Sequence, residues 1–409
     1  MVRGGMSLLI FLSALGVVLW LAALLWNLRN AKGYCTVSSA MEYPLADCPL
    51  VSILIPARNE AGILVSSLPR FLEQEYENYE VILVDDGSTD GTAALVERFL
   101  ERYPERLRVI RVEELPPGWN GKIHALHVAF QAARGEWVLA TDADIVFHPK
   151  ALAAGLWLAR EERAELVSIF AFAECVSFWE KLLLPTFSMF LSTLFPFRMI
   201  NDSNSSVAVA SGGYILMRRE MWAGLGGYEA IRSEMIDDLN TARIVKHSGH
   251  RIFAAITRDL LSTRMYESFQ ELWEGLRKHA FAGNHYSIPR TLTGIAMLLL
   301  ASFGLFLALF YSAVELVVTG VAGGADARAA GLWNVLVLTA AQFVIGAVLH
   351  WPFVRYLGLP AWYALLWPLA YIVYSVISLD AMTKTLLGRG VSWKLRQYGK
   401  SGRAVTSDE

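Results

Sequence analysis

The sequence is poor in charge, and this shortage indicates membrane-embedded segments. Charged residues make up 18% of the 409 residues and hydrophobic residues 55%, whereas a globular chain carries roughly a quarter charged residues. The formal net charge is −2, so the chain also lacks the excess of lysine and arginine that gives nucleic-acid-binding proteins a basic face. We therefore expect a membrane protein with no nucleic-acid partner.

Cysteine is scarce as well. The three cysteines, Cys35, Cys48 and Cys175, are odd in number and follow no C-x-x-C spacing. A disulfide framework needs paired cysteines and a zinc site needs clustered ligands, so the sequence predicts neither and favours a reducing compartment. The histidines follow no metal-binding spacing either, and we expect surface or core positions for His124, His127, His247, His250, His279 and His285.

Long apolar runs occupy both ends of the chain. Residues 7–26 are uncharged over the ~20 residues that a helix needs to cross a bilayer. A cleaved secretory signal is the competing interpretation, but no A-x-A site closes the run, and Arg29 and Lys32 follow it. We predict an uncleaved transmembrane anchor over residues 1–30.

Three more apolar runs of spanning length lie near the C-terminus: 292–320, 332–351 and 360–380. They predict transmembrane helices over residues 291–381, followed by a basic tail over 382–409. Between the two hydrophobic ends, residues 48–285 have an ordinary mixed composition and predict one soluble domain.

Short apolar runs alternate with helical patterns in this central domain. The predicted strands are 51–55, 80–84, 107–112 and 136–144, and the predicted helices between them are 61–74, 90–103 and 121–133. Strands and helices that alternate at this spacing predict an α/β domain with a parallel sheet covered by helices on both faces. Ligands bind such sheets at the carboxyl ends of the strands, which is where the polar motifs of this chain fall.

Two of these motifs follow the first two strands. Pro56, Arg58 and Glu60 lie in a loop that either binds a ligand or only caps the next helix. Asp85 and Asp86 begin the turn-rich sequence DDGSTDG, which a turn with a helix cap would also explain. Adjacent carboxylates repel each other unless a partner compensates, and the donors of a uracil or ribose would be such a partner.

The fourth strand leads into Asp142 and Asp144, which we expect to leave the sheet together. Such a pair suits a hard divalent cation, Mg²⁺ or Mn²⁺, that bridges diphosphate oxygens, although an acidic loop is the simpler alternative. Lys122 would neutralise a phosphate at the N-terminus of its helix, or lie at the surface in solvent. Gly212 and Gly213 would allow close approach of a ligand, or merely form the loop before the predicted strand at 214–217.

The last motif is the acidic pair Asp237 and Asp238 at the start of a helical pattern. Acids at this position stabilise the helix dipole, which is a sufficient structural reason for them. In chemical terms, a carboxylate near a sugar acceptor is the usual general base that deprotonates a hydroxyl.

Taken together and in order, the motifs resemble those of family 2 glycosyltransferases, which have the Rossmann-like GT-A fold. The matching segments are PARNEA, VILVDDGSTDGT, GWNGK-x-x-AL, TDADI, SGGYILMRRE and IDDLNTARIVKHSG. The resemblance implies inverting sugar transfer, with Asp85 or Asp86 on the nucleoside and Asp142 and Asp144 on the donor and metal. Asp238 matches the second acid of the family's E-D motif and is therefore the expected base, while Asp237 stands where the family often has glutamate.

The layout of the whole chain narrows the resemblance to hopene-associated and carotenoid glycosyltransferases. The shared order is anchor, GT-A domain, W-E-K-L-L-L-P, I-D-D, R-M-Y and G-R-G-V-S-W-K. It implies a nucleotide sugar, expected to be UDP-linked, as the donor, and a hopanoid- or isoprenoid-type membrane lipid as the acceptor. Processive synthases carry Q-x-x-R-W after the base, whereas this chain has ELWEGLRKHAFAG at 271–283, so we expect transfer of a single sugar.

Two alternatives remain open. A polyprenyl-phosphate or ceramide-type sugar transferase would share every donor-side motif, because only the acceptor surface differs. A transporter or scaffold with an inactive GT-A domain is the more distant possibility. Transporters carry paired repeats with broken helices, and the apolar runs of this chain show no such pairing.

The expected location is the inner (plasma) membrane, with several crossings and a cytoplasmic catalytic domain. Nucleotide sugars are cytosolic, and Arg29 and Lys32 after the anchor agree with this orientation. The basic tail should be cytoplasmic too, yet three full crossings would place it outside, so one run is re-entrant or interfacial or the charge rule fails. Residues 176–200 are apolar but interrupted by charges and prolines, which predicts an interfacial segment, with a core helix pair as the alternative.

Overall fold

The computed structural model describes residues 2–282, 286–321, 327–387, 391–393 and 396–398. The described residues form two compact units. One contains Val2–Lys32, Cys175–Leu194 and Tyr266–Thr383, and we call it the helical unit. The other contains Gly33–Glu174, Phe195–Met265 and the described residues from Lys384 onwards, and we call it the sheet unit.

The strands are short, and most lie in the sheet unit. In chain order they are β1 Thr36–Val37, β2 Val51–Ala57, β3 Tyr79–Asp86, β4 Leu107–Val112, β5 Trp137–Ala140, β6 Val146–Phe147, β7 Leu166–Phe170, β8 Phe172–Ala173, β9 Ile215–Arg218, β10 Ile252–Thr257, β11 Leu261–Thr263, β12 Val391–Trp393 and β13 Arg396–Tyr398. The last two pair antiparallel and are the described part of the predicted tail, 382–409, beyond Leu387. The predicted end of the soluble domain, 283–285, lies outside the described residues.

The helices belong to both units. In chain order they are α1 Val2–Ala31, α2 Ala61–Leu72, α3 Thr92–Arg102, α4 Gly121–Ala132, α5 Ala151–Glu161, α6 Phe178–Leu194, α7 Phe197–Asn201, α8 Arg219–Gly224, α9 Asp237–His247, α10 Phe269–Ala282, α11 Ile288–Leu299, α12 Leu305–Val321, α13 Ala327–Tyr356 and α14 Trp367–Leu386. Short 3₁₀ helices cover Gly227–Ile231 and Ala361–Leu366, and a π-helical turn covers Leu300–Gly304.

The main sheet has eight strands in the order β1-β10-β7-β9-β5-β2-β3-β4. Strands β2 and β3 are buried along their whole length, which explains why they appear in the sequence as unbroken apolar runs. Residues of α2 and α5 pack into the hydrophobic core on one face of the sheet, and residues of α4, α8 and α9 pack into the core on the other. The predicted α/β domain with helices on both faces is confirmed.

Two details differ from the sequence prediction. Strand β9 runs antiparallel to its neighbours β5 and β7, so the sheet is mixed rather than parallel. Its register pairs Ile215 with Ala140 at the carboxyl end of β5, which brings the preceding residues, Gly212 and Gly213, to the same edge of the sheet. The fourth predicted strand, 136–144, is shorter than expected and ends at Ala140, so its aspartates lie in the following loop.

Among the residues that the structure describes, four helices are long and apolar enough to cross a membrane: Ser7–Ala31, Ile288–Val318, Ala329–Tyr356 and Ala361–Leu386. They correspond to the four apolar runs of the sequence. Helix α1 packs against α13, where Gly16 faces Gln342 and the Gln342 side-chain amide donates to the Ser13 carbonyl at 3.1 Å. Small residues at such contacts let apolar helices approach closely.

Helix α6 covers most of the predicted interfacial segment, 176–200. Ser177 and Glu180 cap its start reciprocally, with 2.6 Å from the Ser177 amide to the Glu180 carboxylate and 3.2 Å from the Glu180 amide to the Ser177 hydroxyl. Within the helical unit, the Tyr374 hydroxyl donates to the Leu183 carbonyl at 3.0 Å, and Phe190 contacts the ring of Tyr374. The helix therefore packs along one side, and its position at a membrane interface stays a prediction.

Glu80, a buried residue of β3, joins several segments at the amino-terminal edge of the sheet. Its carboxylate accepts from the Ser52 hydroxyl at 2.7 Å and from the amide and guanidinium of Arg134 at 2.9 and 2.7 Å. Burial raises the pKa of Glu80, but the hydrogen bonds from Arg134 and Ser52 outweigh it and hold the pKa below its ordinary value. The ionised carboxylate thus stabilises the fold.

We predict that Glu80→Gln destabilises the sheet unit by about 1–3 kcal/mol, because the buried Ser52 hydroxyl and the partly buried Arg134 amide lose their charged acceptor. A loss of this size lowers the unfolding temperature by about 2–4 °C per kcal/mol in a domain of this size. Since the folded-state pKa is depressed, the contribution is complete above the ordinary carboxyl pKa and disappears as pH falls through the folded value. Calorimetry of the detergent-solubilised chain at neutral and acidic pH measures both effects.

Glu136→Gln is the matched control, because Glu136 pairs with Arg218 at a similar distance, 2.8 Å, but at the surface. Exposed pairs contribute about 0–1 kcal/mol. Equal shifts in the two variants would contradict a special role for Glu80.

Candidate active site

The loops after β2 and β3 hold each other in place. The Asn59 amide donates to the Ser88 hydroxyl at 3.0 Å, and the Thr89 amide donates to the Asn59 side-chain oxygen at 2.8 Å. The Glu60 amide donates to the Thr92 hydroxyl at 2.9 Å. Asn59 adopts the left-handed conformation, with φ of 54°, which asparagine tolerates better than most residues. The two predicted motifs at these loops therefore form one surface.

The structure supplies internal partners for the adjacent acids at the end of β3. Asp85 and Asp86 are both only 4% exposed. The Asp85 carboxylate accepts from the Ser88 amide at 3.0 Å. The Arg58 guanidinium lies 4.0 Å from the Asp86 carboxylate and also donates to the Asp86 carbonyl. Arg58 belongs to the motif predicted after the preceding strand. Its positive charge thus offsets part of the repulsion between the Asp85 and Asp86 carboxylates. Pro56 lies within β2, paired with Val84.

Lys122 lies where the acidic motifs meet. Asn120 caps helix α4 by accepting from the Lys122 amide at 3.0 Å, which fixes the start of the helix. The Lys122 Nζ lies 2.7 Å from the Asp142 carboxylate and 3.0 Å from that of Asp237. Burial lowers the pKa of Lys122, but Asp142 and Asp237 more than offset this and raise it well above its ordinary value. A protonated amine therefore joins the acids of two different motifs.

Asp238 lies beside this ion pair, at the first turn of α9. Its carboxylate accepts from the Leu239 amide at 2.7 Å and from the Gly212 amide at 3.0 Å. Burial raises the pKa of Asp238 and the charge of Asp237 raises it further, while Lys122 opposes both. The balance is an elevated pKa on a carboxylate that backbone amides hold in one orientation.

Gly212 occupies a position where a side chain has little room. A Cβ atom there would lie 3.1 Å from the Asp142 carboxylate, 3.4 Å from the Lys122 amine and 3.5 Å from the Asp238 carboxylate. The next residue, Gly213, accepts from the Thr141 hydroxyl at 2.8 Å through its carbonyl. Gly212 thus lets the chain pass directly against three charged groups.

Asp144 is held from the small sheet β6-β11-β8. The Thr263 hydroxyl of β11 donates to its carboxylate at 3.2 Å. Burial raises the pKa of Asp144, and the nearby carboxylates of Asp142 and Glu60 raise it further. Three acids therefore share a region with an excess of negative charge. Among the described residues, no group of three or more histidine, cysteine, aspartate or glutamate side chains is arranged as a metal site.

The structure thus brings together Lys122, Asp142, Asp237, Asp238 and Gly212 by direct contacts, and it places Asp144, Glu60 and the Arg58–Asp86 pair at the same edge of the sheet. Sequence reasoning missed three residues that orient this set: Asn120, Thr141 and Thr263. The asparagine directly before a helical pattern was a readable cap signal. The threonines carry no local signal, because their partners are distant in sequence.

The comparisons with known proteins bear on the family and the fold of this chain. Residues 52–225 match the family model described as glycosyl transferase family 2. The resemblance to this family that the motifs predicted is therefore confirmed over residues 52–225, and the predicted GT-A fold is confirmed as well. The matched range includes Lys122, Asp142 and Gly212 but ends before Asp237 and Asp238.

Three similar proteins illustrate the match. A Streptococcus pneumoniae glycosyltransferase is 30% identical over 118 residues, 29% of this chain and 38% of that protein. A Staphylococcus aureus 4,4'-diaponeurosporenoate glycosyltransferase is 26% identical over 265 residues, 64% of this chain and 69% of that protein. A Pyrobaculum calidifontis mannosyltransferase, solved with GDP-Man and Mn²⁺, has a TM-score of 0.52 at 20% identity, covering 92% of this chain and 99% of its own.

The chain spans less than two-fifths of the length of the Streptococcus pneumoniae relative, and 36% of a Bacillus subtilis relative named for teichuronic acid biosynthesis. These matches are confined to a part of each relative. The structural likeness to the mannosyltransferase extends over both chains and supports the fold.

We predict that Gly212→Ala lowers sugar-transfer activity by about ten- to a hundredfold, because small displacements of reacting groups have effects of this size. The added methyl would push against the Asp142 carboxylate and the Lys122 amine. Steady-state kinetics with a nucleotide sugar measure the loss, and thermal unfolding checks that the fold is intact. The control is Gly62→Ala in the first turn of α2, where a Cβ meets nothing within 4 Å. Similar losses in both variants would contradict the prediction.

Proposed function

We propose that this protein transfers a single sugar from a nucleotide-sugar donor to a lipid acceptor at a membrane. The observation that carries the proposal is the convergence of Lys122, Asp142 and the Asp237–Asp238 pair at the carboxyl edge of the sheet. Each comes from a different segment, so no single turn or helix cap accounts for their meeting. The family 2 domain and the four apolar helices supply the context.

The donor would lie along the loops after β2 and β3. Asp85 and Asp86 would bind the nucleoside, flanked by Pro56, Arg58 and Glu60. The diphosphate would lie near the amino terminus of α4, where backbone amides and a lysine favour anions. Lys122 provides that amine, and Gly212 and Gly213 leave room for the phosphates and sugar. A UDP-linked sugar is our expectation for the donor.

A divalent cation, Mg²⁺ or Mn²⁺, would be held by Asp142 and Asp144. The donor set fits, because hard divalent cations prefer carboxylate oxygens, and the pKa of Asp144 is raised by burial and by the charges of Asp142 and Glu60. The Mn²⁺ bound by the Pyrobaculum calidifontis mannosyltransferase supports this assignment. When bound, the cation would supply charge that offsets the diphosphate leaving group.

Asp238 would be the general base of an inverting displacement. Its carboxylate would take the proton of the acceptor hydroxyl while that oxygen bonds to the anomeric carbon and the bond to the diphosphate breaks. Two backbone amides, of Leu239 and Gly212, orient the carboxylate for this role. Asp237 is bound to Lys122, so its role would be secondary.

The acceptor would be a hopanoid- or isoprenoid-type lipid. The Staphylococcus aureus relative is named for the carotenoid 4,4'-diaponeurosporenoate, which supports an isoprenoid acceptor. A polyprenyl-phosphate or ceramide-type acceptor is the alternative. A transporter or scaffold with an inactive domain is disfavoured, because Asp142 and Asp237, the acids of two separate motifs, meet at one site through Lys122.

The protein would be a multi-pass component of the inner (plasma) membrane with its catalytic domain in the cytoplasm. Under this proposal residues 1–30 anchor the chain, residues 48–285 form the catalytic domain, residues 291–381 cross or enter the membrane, and 382–409 is a cytoplasmic tail. The helices Ser7–Ala31, Ile288–Val318, Ala329–Tyr356 and Ala361–Leu386 have the apolar length that such crossings need. The segment 176–200 would lie at the interface and present the acceptor headgroup.

We predict that the purified enzyme, incubated with membrane lipids, Mn²⁺ and a panel of nucleotide sugars, adds one hexose to one class of lipid. Mass spectrometry of the lipids identifies donor and acceptor together, because the mass increase gives the sugar and the lipid mass gives the acceptor. Products with phosphate-linked sugar would support the polyprenyl-phosphate alternative. No glycosylated lipid with any donor, from folded protein, would refute the proposed function.

We predict that Asp238→Asn lowers kcat by about 10²–10⁴ with little change in donor affinity, since a general base acts in the transition state. Asp237→Asn is the matched control, because it removes the same charge from the neighbouring residue. It should have the smaller effect on kcat but weaken the hold on Lys122. Single-turnover kinetics and nucleotide-sugar titrations separate these effects. A larger loss of kcat in Asp237→Asn would reverse the assignment.

A further inference from the structure

Lys122 binds a carboxylate that the proposed cation site also needs. Its amine is 2.7 Å from the Asp142 carboxylate and within 3.0 and 3.3 Å of both oxygens of Asp237. The Asp142 oxygen that it contacts belongs to the carboxylate assigned to metal binding above. The ammonium and a divalent cation would therefore compete for the same ligand.

The surroundings make this competition strong. The Asp142 and Asp238 carboxylates both lie close to Gly212, so the ammonium is surrounded by acids on more than one side. The Lys122 side chain is 28% exposed, which leaves it a path to move. Two like charges a few ångströms apart in a partly buried site repel each other. The energy of this repulsion is larger than the free energy that corresponds to a tenfold change in affinity.

We propose that Lys122 is a built-in counter-ion, which neutralises Asp142 before the metal binds and is displaced from Asp142 when the metal arrives. This inference rests on the proposed function, since it takes Asp142 as a metal ligand. Asp237 keeps its contact with the amine during the exchange, so the lysine stays in the site instead of swinging into solvent. From there the amine is free to bind a donor phosphate.

The exchange links metal binding, donor binding and the charge near the proposed base. Metal binding to Asp142 breaks its ion pair with Lys122, and the amine can then bind a donor phosphate. Because Asp237 and Asp238 are adjacent, the same amine also sets the charge beside the proposed base. Lys122 would thus favour binding of metal and donor together and disfavour binding of metal alone. A merely structural lysine would have no such effect on metal affinity.

The test is a titration of the full-length, detergent-solubilised protein with Mn²⁺ alone. Binding is measured by electron paramagnetic resonance, as the decrease in the signal of free Mn²⁺. Lys122→Met keeps the length of the side chain and removes its charge. We expect its Kd for Mn²⁺ to fall by at least about tenfold, since a repelling charge is gone. At saturating Mn²⁺ we expect the opposite effect on the nucleotide sugar, which should bind more weakly.

Two further variants make the comparison specific. Lys150→Met removes a lysine of the sheet unit that pairs with Glu42 at 2.7 Å, and it should leave the Kd for Mn²⁺ unchanged. Lys122→Arg restores the positive charge and should return the Kd towards that of the wild type. Asp144→Asn should abolish Mn²⁺ binding, because it removes a ligand and its charge. Thermal unfolding of each variant checks that the fold is retained.

The outcomes separate the two levels of the proposal. In one outcome, Lys122→Met binds Mn²⁺ no more tightly than the wild type does, and Asp144→Asn does not bind it. This outcome would overturn the counter-ion role of Lys122 but would still support the metal site. Binding that Asp144→Asn does not affect, or no binding by any variant, would refute the metal site and this role of Lys122 with it. Tighter binding in Lys122→Met but not in Lys150→Met supports the proposal.

Discussion

The mutual repulsion of carboxylates at one edge of the sheet is the constraint on which the site depends. Acids from separate segments converge there, and each must be compensated for the chain to fold in this way. Arg58 compensates Asp86, and Lys122 compensates Asp142 and Asp237. Asp238 relies on backbone amides instead. The compensation is weakest around Asp144, whose described hydrogen-bond partner is a neutral threonine hydroxyl, and this is the region where a cation is proposed.

The opposite edge of the sheet also contains a buried carboxylate, that of Glu80, but there the protein stabilises the charged form. Glu80 is buried, yet Ser52 and Arg134 satisfy its carboxylate through hydrogen bonds that hold its pKa below the ordinary value. The pKa values of Asp144 and Asp238 shift the other way. A carboxylate satisfied by its own protein strengthens the fold, whereas one left with a raised pKa is suited to bind or to take protons.

The sequence predicted the parts of this structure that depend on local pattern. Strands β2 and β3 were readable because fully buried strands form unbroken apolar runs, and the acids after them follow from the strand ends. The antiparallel direction of β9 was not readable, because the four-residue run is equally compatible with either direction. The contact between Lys122 and Asp237 joins residues 115 positions apart, so only the folded chain reveals it. Thr263 carries no motif for the same reason.

The chain leaves the sheet unit for the helical unit directly after two strands of the small sheet β6-β11-β8. Strand β8 pairs with β11, whose Thr263 holds Asp144. Directly after β8 the chain enters the segment that forms α6, and directly after β11 it continues towards α10. Both helices belong to the helical unit. The small sheet that orients the proposed metal ligand is therefore also the point from which the chain twice leaves the sheet unit.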